Sequence, residues 1–142
     1  MKHKEFTING LKPSIKLSEA EMICGRLVQD SSLPQKTPNH PVAWYFEGNH
    51  NVNVFTNVEG AGSEDIGRVK GTSLEVDGQV LFELGCPPSQ VEEALGAPHS
   101  ISGDSRQFWA YKKLGQNQID LSIMFDEGQV SNIETIWTPP GW

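Results

Sequence analysis

The chain is 142 residues long and 15.7 kDa, with 37% AVILMFWYC residues, 20% charged residues, 14 Gly and 9 Pro. That length and apolar content suit one domain with its own core, and they exclude collagen, a coiled coil and a disordered tail. The net charge of −7 is unevenly spread: residues 1–70 hold eight acids and eight bases, whereas 71–142 hold ten acids against only Arg106, Lys112 and Lys113. An acidic second half repels phosphate backbones and anionic membrane surfaces, so no nucleic-acid partner is expected and a cationic protein is the complementary one. No apolar run reaches the ~18 residues of a membrane span, and Met1-Lys2-His3-Lys4-Glu5-Phe6 is not followed by the apolar stretch of a signal peptide. The expected location is the cytoplasm, or the periplasm if an export signal has been removed.

In chain order, a short strand is predicted near Phe6–Asn9, followed by a helix opening at Ser18. Ser18-Glu19-Ala20-Glu21 has the S-x-x-E form of a capping box, and Gly25 supplies a stop, although Arg26 and Leu27 would let the helix run on to about Val28. After a connector containing Pro34, Pro38 and Pro41 come Trp44-Tyr45-Phe46. Val52 and Val54 then alternate with Asn51, Asn53 and Phe55, the period of a half-buried strand. Glu59-Gly60 closes that run, a third strand is expected from Ile66 to Leu74, and Asp77-Gly78 reads as a joint.

The second half repeats this order. A leading strand near Gln79–Leu84 precedes a helix from Ser89 to Gly96, and Ser18–Gly25 aligns with Ser89–Gly96 without a gap. Trp109-Ala110-Tyr111 follows, then an alternating strand through Ile119, Leu121, Ile123 and Phe125, a turn at Glu127-Gly128 and a last strand from Val130 to Trp137. The pattern predicts an α+β fold: two tandem helix-plus-antiparallel-sheet pseudo-repeats, residues 1–78 and 79–142, in one compact domain. Each helix would bury one face of its sheet. The other face is left to solvent, to the sister repeat or to a partner.

Catalytic patterns fail on residue type. Gly62-Ser63-Glu64-Asp65-Ile66-Gly67-Arg68-Val69 has the glycine spacing of a P-loop, but Arg68 and Val69 stand where Lys and Ser/Thr are required. There is no G-x-S-x-G, and His3, His40, His50 and His99 occur singly, outside any metal-ligand spacing. Glu92 and Glu93 are neighbours on a helix and point about 100° apart, so they cannot share a proton. Cys24 and Cys86 lack a C-x-x-C pattern and read as buried thiols or a disulfide. No catalytic, cofactor or metal residue is assigned. The four Trp are the more informative feature: Trp44 and Trp109 hold matching positions, either as core anchors or as interface anchors, and Trp137 and Trp142 flank a Pro-rich tail.

The run Leu95-Gly96-Ala97-Pro98, Trp109-Ala110-Tyr111 and Phe125-Asp126-Glu127-Gly128-Gln129-Val130 resembles the small-lipoprotein A/outer-membrane lipoprotein A domain. Two such units in tandem resemble the β-lactamase-inhibitory-protein fold. The resemblance covers residues 79–137 well and 11–76 loosely, because the first copy lacks L-G-x-P and has Tyr45-Phe46 where the motif places a Tyr two residues after Trp. It implies a concave antiparallel sheet that grips another protein. The lipoprotein branch implies a signal peptide and a lipidated Cys, neither of which opens this sequence, and this favours the inhibitor-like branch. The function expected is therefore a protein-binding inhibitor rather than an enzyme: a bacterial immunity protein occluding the active site of a basic toxin enzyme. The alternative is an envelope or surface scaffold of the small-lipoprotein type. The contact residues expected are Trp44, Tyr45, Phe55, Glu64, Asp65, Trp109, Tyr111, Asp120 and Met124, with aromatic anchors and carboxylates that mimic an anionic substrate.

Overall fold

The computed structural model describes residues 5–13, 15–29, 42–56, 66–104, 106–115 and 119–136. In chain order these form β1 (Phe6–Ile8), α1 (Leu17–Cys24), β2 (Leu27–Gln29), β3 (Val42–Phe46), β4 (Asn49–Thr56), β5 (Ile66–Gly71), β6 (Ser73–Val76), β7 (Gln79–Glu83), α2 (Pro88–Leu95), β8 (Ser100–Ser102), β9 (Arg106–Leu114), β10 (Ile119–Asp126) and β11 (Gln129–Ile136). The larger sheet has eight strands in the order β2-β3-β4-β5-β11-β10-β9-β8, and the smaller has three in the order β1-β6-β7. Every described pairing is antiparallel.

Alternating hydrophobicity builds the large sheet. In β10, Ile119, Leu121, Ile123 and Phe125 are buried while Asp120, Ser122, Met124 and Asp126 are half-buried. In β4, Val52 and Val54 are buried and Asn53 and Phe55 are half-buried. Successive strand residues point to opposite faces, so these two sets define a covered face and an open face. Val52, Val54, Leu121, Ile123 and Phe125 of the covered set pack in one cluster with Ile8, Leu11, Leu74 and Phe82 from around the small sheet, Ala20 of α1 and Val91 of α2. The small sheet and the helices therefore close one side of the large sheet.

The fold is predominantly β, 60% strand and 15% helix among the described residues, which corrects the α+β class with tandem helix-plus-sheet repeats expected from the sequence. The helices are the first reason: each has eight residues, with Ala20 alone buried in α1 and Val91 alone in α2, too little to form a layer. The second is that pairing continues across the middle, because β5 pairs with β11 through Val69↔Thr135 and Lys70↔Glu134. Asp77-Gly78 is a hairpin turn that pairs β6 with β7, with positive φ at both residues. Glu127-Gly128 forms the β10–β11 turn with φ of 53° and 75°, as primed hairpin turns require.

Both helices begin one residue before the expected serines. Lys16 precedes α1 and Pro87 precedes α2, where Pro88 fills the first helical position because it has no N–H to leave unbonded. Glu19 supplies half of the expected box, its carboxylate accepting the Lys16 N–H at 3.5 Å. α1 does not run on to Val28. Its chain ends with the Gly25 N–H donating to the Glu21 carbonyl at 2.9 Å, and Leu27 then pairs with Phe46 in β2.

The strand expected from Ile66 to Leu74 divides at Thr72, where the chain leaves the large sheet for the small one. Asn9 holds this corner: its Oδ1 accepts the Thr72 N–H at 2.8 Å, its Nδ2 donates to Thr72 Oγ1 at 2.9 Å, and its own N–H donates to the Ser73 carbonyl at 3.2 Å. Gly71 is needed beside it, because a Cβ there would run into Asn9 Oδ1 and Ile8 Cγ2. Gly71→Ala should therefore cost about 2 kcal/mol or more, as overpacking does. A urea unfolding midpoint unchanged by Gly71→Ala would show that the corner has room to spare.

Candidate functional site

The open face of the large sheet is the candidate site. Its centre lies on the β5–β11 seam, where the Arg68 guanidinium grips the Glu134 carboxylate through two bonds, Nε to Oε1 at 2.8 Å and Nη2 to Oε2 at 2.8 Å. The Glu134 side chain is 10% exposed and that of Arg68 is 44% exposed. On the other side the Arg68 guanidinium carbon sits 4.7 Å from the centre of the Phe55 ring, a cation–π contact. The cross-strand register explains this cluster, since Phe55 opposes Arg68 in β4–β5 and Glu134 lies diagonally across β5–β11. Towards β3, the Tyr45 and His50 rings meet at a tilt of 54° with centroids 4.5 Å apart. Towards β9, Arg106 pairs with Asp126 at 3.2 Å and Lys112 with Asp120 at 3.8 Å, and Phe108 is 42% exposed.

The residues expected at a binding surface divide between the two faces. Tyr45, Phe55, Asp120 and Met124 lie on the open face, all half-buried. Asp120 is already engaged, accepting the Lys113 N–H at 3.1 Å in addition to its contact with Lys112. Trp109 and Tyr111 are core residues, 6% and 1% exposed, and not interface anchors. They oppose Ile123 and Leu121 of β10 and so inherit the covered face, where the Trp109 and Phe125 rings approach to 4.7 Å between centroids. Trp44 opposes Val54, packs against the same core and donates its Nε1–H to Thr56 Oγ1 at 3.1 Å. Glu64 and Asp65 fall outside the described residues, as do Trp137 and Trp142.

Arg68 and Glu134 were not legible as site residues. Arg68 drew notice only as the residue that spoils a P-loop. The signal that could have found it is the alternation Arg68, Val69, Lys70, which sets two cations outward from a strand whose Val69 is buried. The charge of the open face differs from that of the whole chain. Among the described residues it carries Arg68, Lys70, Arg106 and Lys112 against Asp120, Asp126 and Glu134, four bases to three acids. The acidic excess sits instead on the helices, the small sheet and the turns, at residues such as Glu19, Glu21, Glu75, Glu83, Glu92 and Glu93.

Two groups on the covered side have shifted acidities. The Cys24 thiol borders a cleft of about 310 Å³ beside Asn9, Phe46 and Glu75 and donates to the Asn9 carbonyl at 3.3 Å. Burial, reinforced by the Glu75 charge, raises its pKa, so it stays protonated near neutrality and is a weak nucleophile. Both cysteines are free thiols. Among the described residues, no three His, Cys, Asp or Glu side chains converge to hold a metal ion, and no helix is long and apolar enough to cross a membrane.

No protein-family model matches the chain, and no curated protein matches it. The resemblance to small-lipoprotein A domains thus has no counterpart in these comparisons. Among solved structures, a DUF4309 family protein, YjgB from Bacillus subtilis, is similar with a TM-score of 0.48 and 10% identity, covering 93% of this chain and 82% of that one. Likeness at that level establishes neither a shared fold nor a shared activity.

Tyr111 gives the core a pH signature. Its hydroxyl donates to the Gly96 carbonyl at 2.8 Å, tying β9 to the end of α2, and burial together with the Glu92 charge pushes its pKa up from 10.0 to about 12. The raised value means that the fold favours the neutral phenol. Its stabilising effect is complete below pH 10.0 and is lost as pH rises to about 12, because the unfolded chain ionises first. Tyr111→Phe should cost about 1 kcal/mol at neutral pH through the lost hydrogen bond and should flatten the stability loss over that alkaline interval. Identical alkaline unfolding curves for both proteins would contradict this assignment.

Proposed function

We propose that this chain is a protein-binding inhibitor that lays the open face of its eight-stranded sheet across a cognate enzyme and occludes the active site. The bacterial form of this reading is an immunity protein acting in the cytoplasm on a basic toxin. The observation that supports it best is the asymmetry of the large sheet. One face is closed by the small sheet and two helices, while the other carries the preorganised Phe55, Arg68 and Glu134 cluster. A guanidinium fixed by two hydrogen bonds and a ring loses little rotamer entropy on binding, so more of the contact energy is realised as affinity. Aromatic and Arg side chains held in this way are the usual anchors of interfaces.

The net charge of −7 has a separate role in this account. It draws a basic partner in from a distance, with exposed acids such as Glu19, Glu83 and Glu93 away from the open face contributing to the field, whereas the open face makes the contact. Association should slow as salt is raised and the field is screened, with dissociation nearly unchanged.

The test is affinity capture with the purified chain, identification of the bound protein by mass spectrometry, and measurement of the affinity. Phe55→Ala and Tyr45→Ala, which leave the seam ion pair in place, should each weaken binding by about 2 kcal/mol if they are true anchors. The captured enzyme should lose activity when the chain is added. Unchanged affinity in both variants would remove the open face from the interface, and turnover of a substrate by the chain alone would end the inhibitor reading.

A further inference from the structure

We propose that the groove between α2 and the outer edge of β7 is a docking site for an extended basic segment of a partner protein, in which Lys or Arg alternates with aliphatic residues. It lies away from the open face and does not depend on the reading given to that face. The groove has a volume of about 540 Å³ and is lined by Leu81, Pro87, Ser89, Gln90, Glu93 and Ala94.

Three features select the occupant. The first is the edge itself: among the described residues β7 ends the three-stranded sheet and pairs only with β6, so the backbone along its other side has no strand partner there. That side faces the groove, since Gln90 Nε2 of α2 reaches across to the Leu81 carbonyl at 3.3 Å. A free edge beside a groove is the geometry in which a peptide adds as a further strand, its main chain supplying hydrogen bonds and its alternate side chains specificity. β7, Gln-Val-Leu-Phe-Glu, carries no Lys or Pro to guard this edge; its register against β6 shifts at Leu81, and its one charge is Glu83, which favours a cationic segment.

The second feature is apolar surface. Leu81 lines the groove, and Val80 of β7 and Leu84 just after the strand are 54% and 40% exposed, which calls for aliphatic side chains in the segment. The third is charge. Glu93 lines the groove, Glu83 ends β7 and Glu92 is the neighbouring residue of α2; all three are exposed and form no ion pair among the described residues. Arg106 and Lys112 are paired with Asp126 and Asp120 on the open face of the large sheet. Cations are therefore the complement of this groove, and an acidic segment of the same shape would be rejected.

A short capped peptide alternating Lys and Val is the probe, titrated into the isotope-labelled full chain and followed by amide chemical shifts at low salt. The expected shifts concentrate on residues 80–84 and 88–94, and the matching peptide of Glu and Val produces none. Glu83→Lys combined with Glu93→Lys should weaken binding at least about tenfold, because the reversed charges act at contact distance. Glu47→Lys combined with Asp104→Lys makes the same change in net charge elsewhere and should weaken it less than about threefold. Equal losses in the two double variants, shifts centred on the open-face strands, or no binding by the Lys–Val peptide would each overturn the proposal.

Discussion

The open face depends on the pairing of β5 with β11. Four residue pairs, Arg68↔Ile136, Val69↔Thr135, Lys70↔Glu134 and Gly71↔Ile133, join the four strands β2 to β5 to the four strands β11 to β8. Without them there would be two four-stranded sheets with two further free edges and no continuous surface. The Arg68–Glu134 bond crosses this seam between residues 66 apart in sequence. An exposed ion pair contributes little, but a carboxylate only 10% exposed is different, because removal of its partner leaves a charge that water cannot solvate well. The same guanidinium orients Phe55, so the interaction that closes the sheet also shapes its outer surface.

The distribution of charge separates long-range attraction from contact. The composition suggested one acidic surface presented to a cationic partner. Among the described residues, the folded chain places nearly balanced charge on the open sheet and sets Glu83, Glu92 and Glu93, which form no ion pair, near the open edge of β7. A partner carrying a basic extended segment could use both surfaces, the sheet for broad contact and the β7 edge for a strap. Linking two such contacts raises affinity through effective concentration, without any new bond at either one.

Local structure was legible where short-range chemistry sets it. The alternation in β10 identified its buried set, and the glycines after α1 and α2 and the turn at Glu127-Gly128 fixed ends and a reversal, whereas Asp77-Gly78, read as a joint between repeats, is the turn of the β6–β7 hairpin. What failed was everything that depends on register. Trp109 and Tyr111 face the core because they oppose Ile123 and Leu121, a fact that no periodicity within Trp109-Ala110-Tyr111 contains. The β5–β11 pairing brings together segments that share no local signal, so two matching runs of helix and strands read as two units when they form one sheet. The S-x-x-E boxes overstated the helices for a related reason: a good start says nothing about how much surface eight residues can cover.

The central claim, that one continuous eight-stranded sheet presents the open face, is tested most directly by nuclear Overhauser contacts and amide exchange across the seam in solution. The account predicts backbone contacts between Val69 and Thr135 and between Lys70 and Glu134, with amides of β5 and β11 among the slowest to exchange. Absence of those contacts, with β5 and β11 amides exchanging as fast as those of the edge strand β8, would mean that the sheet is divided at its middle and that the proposed surface does not exist.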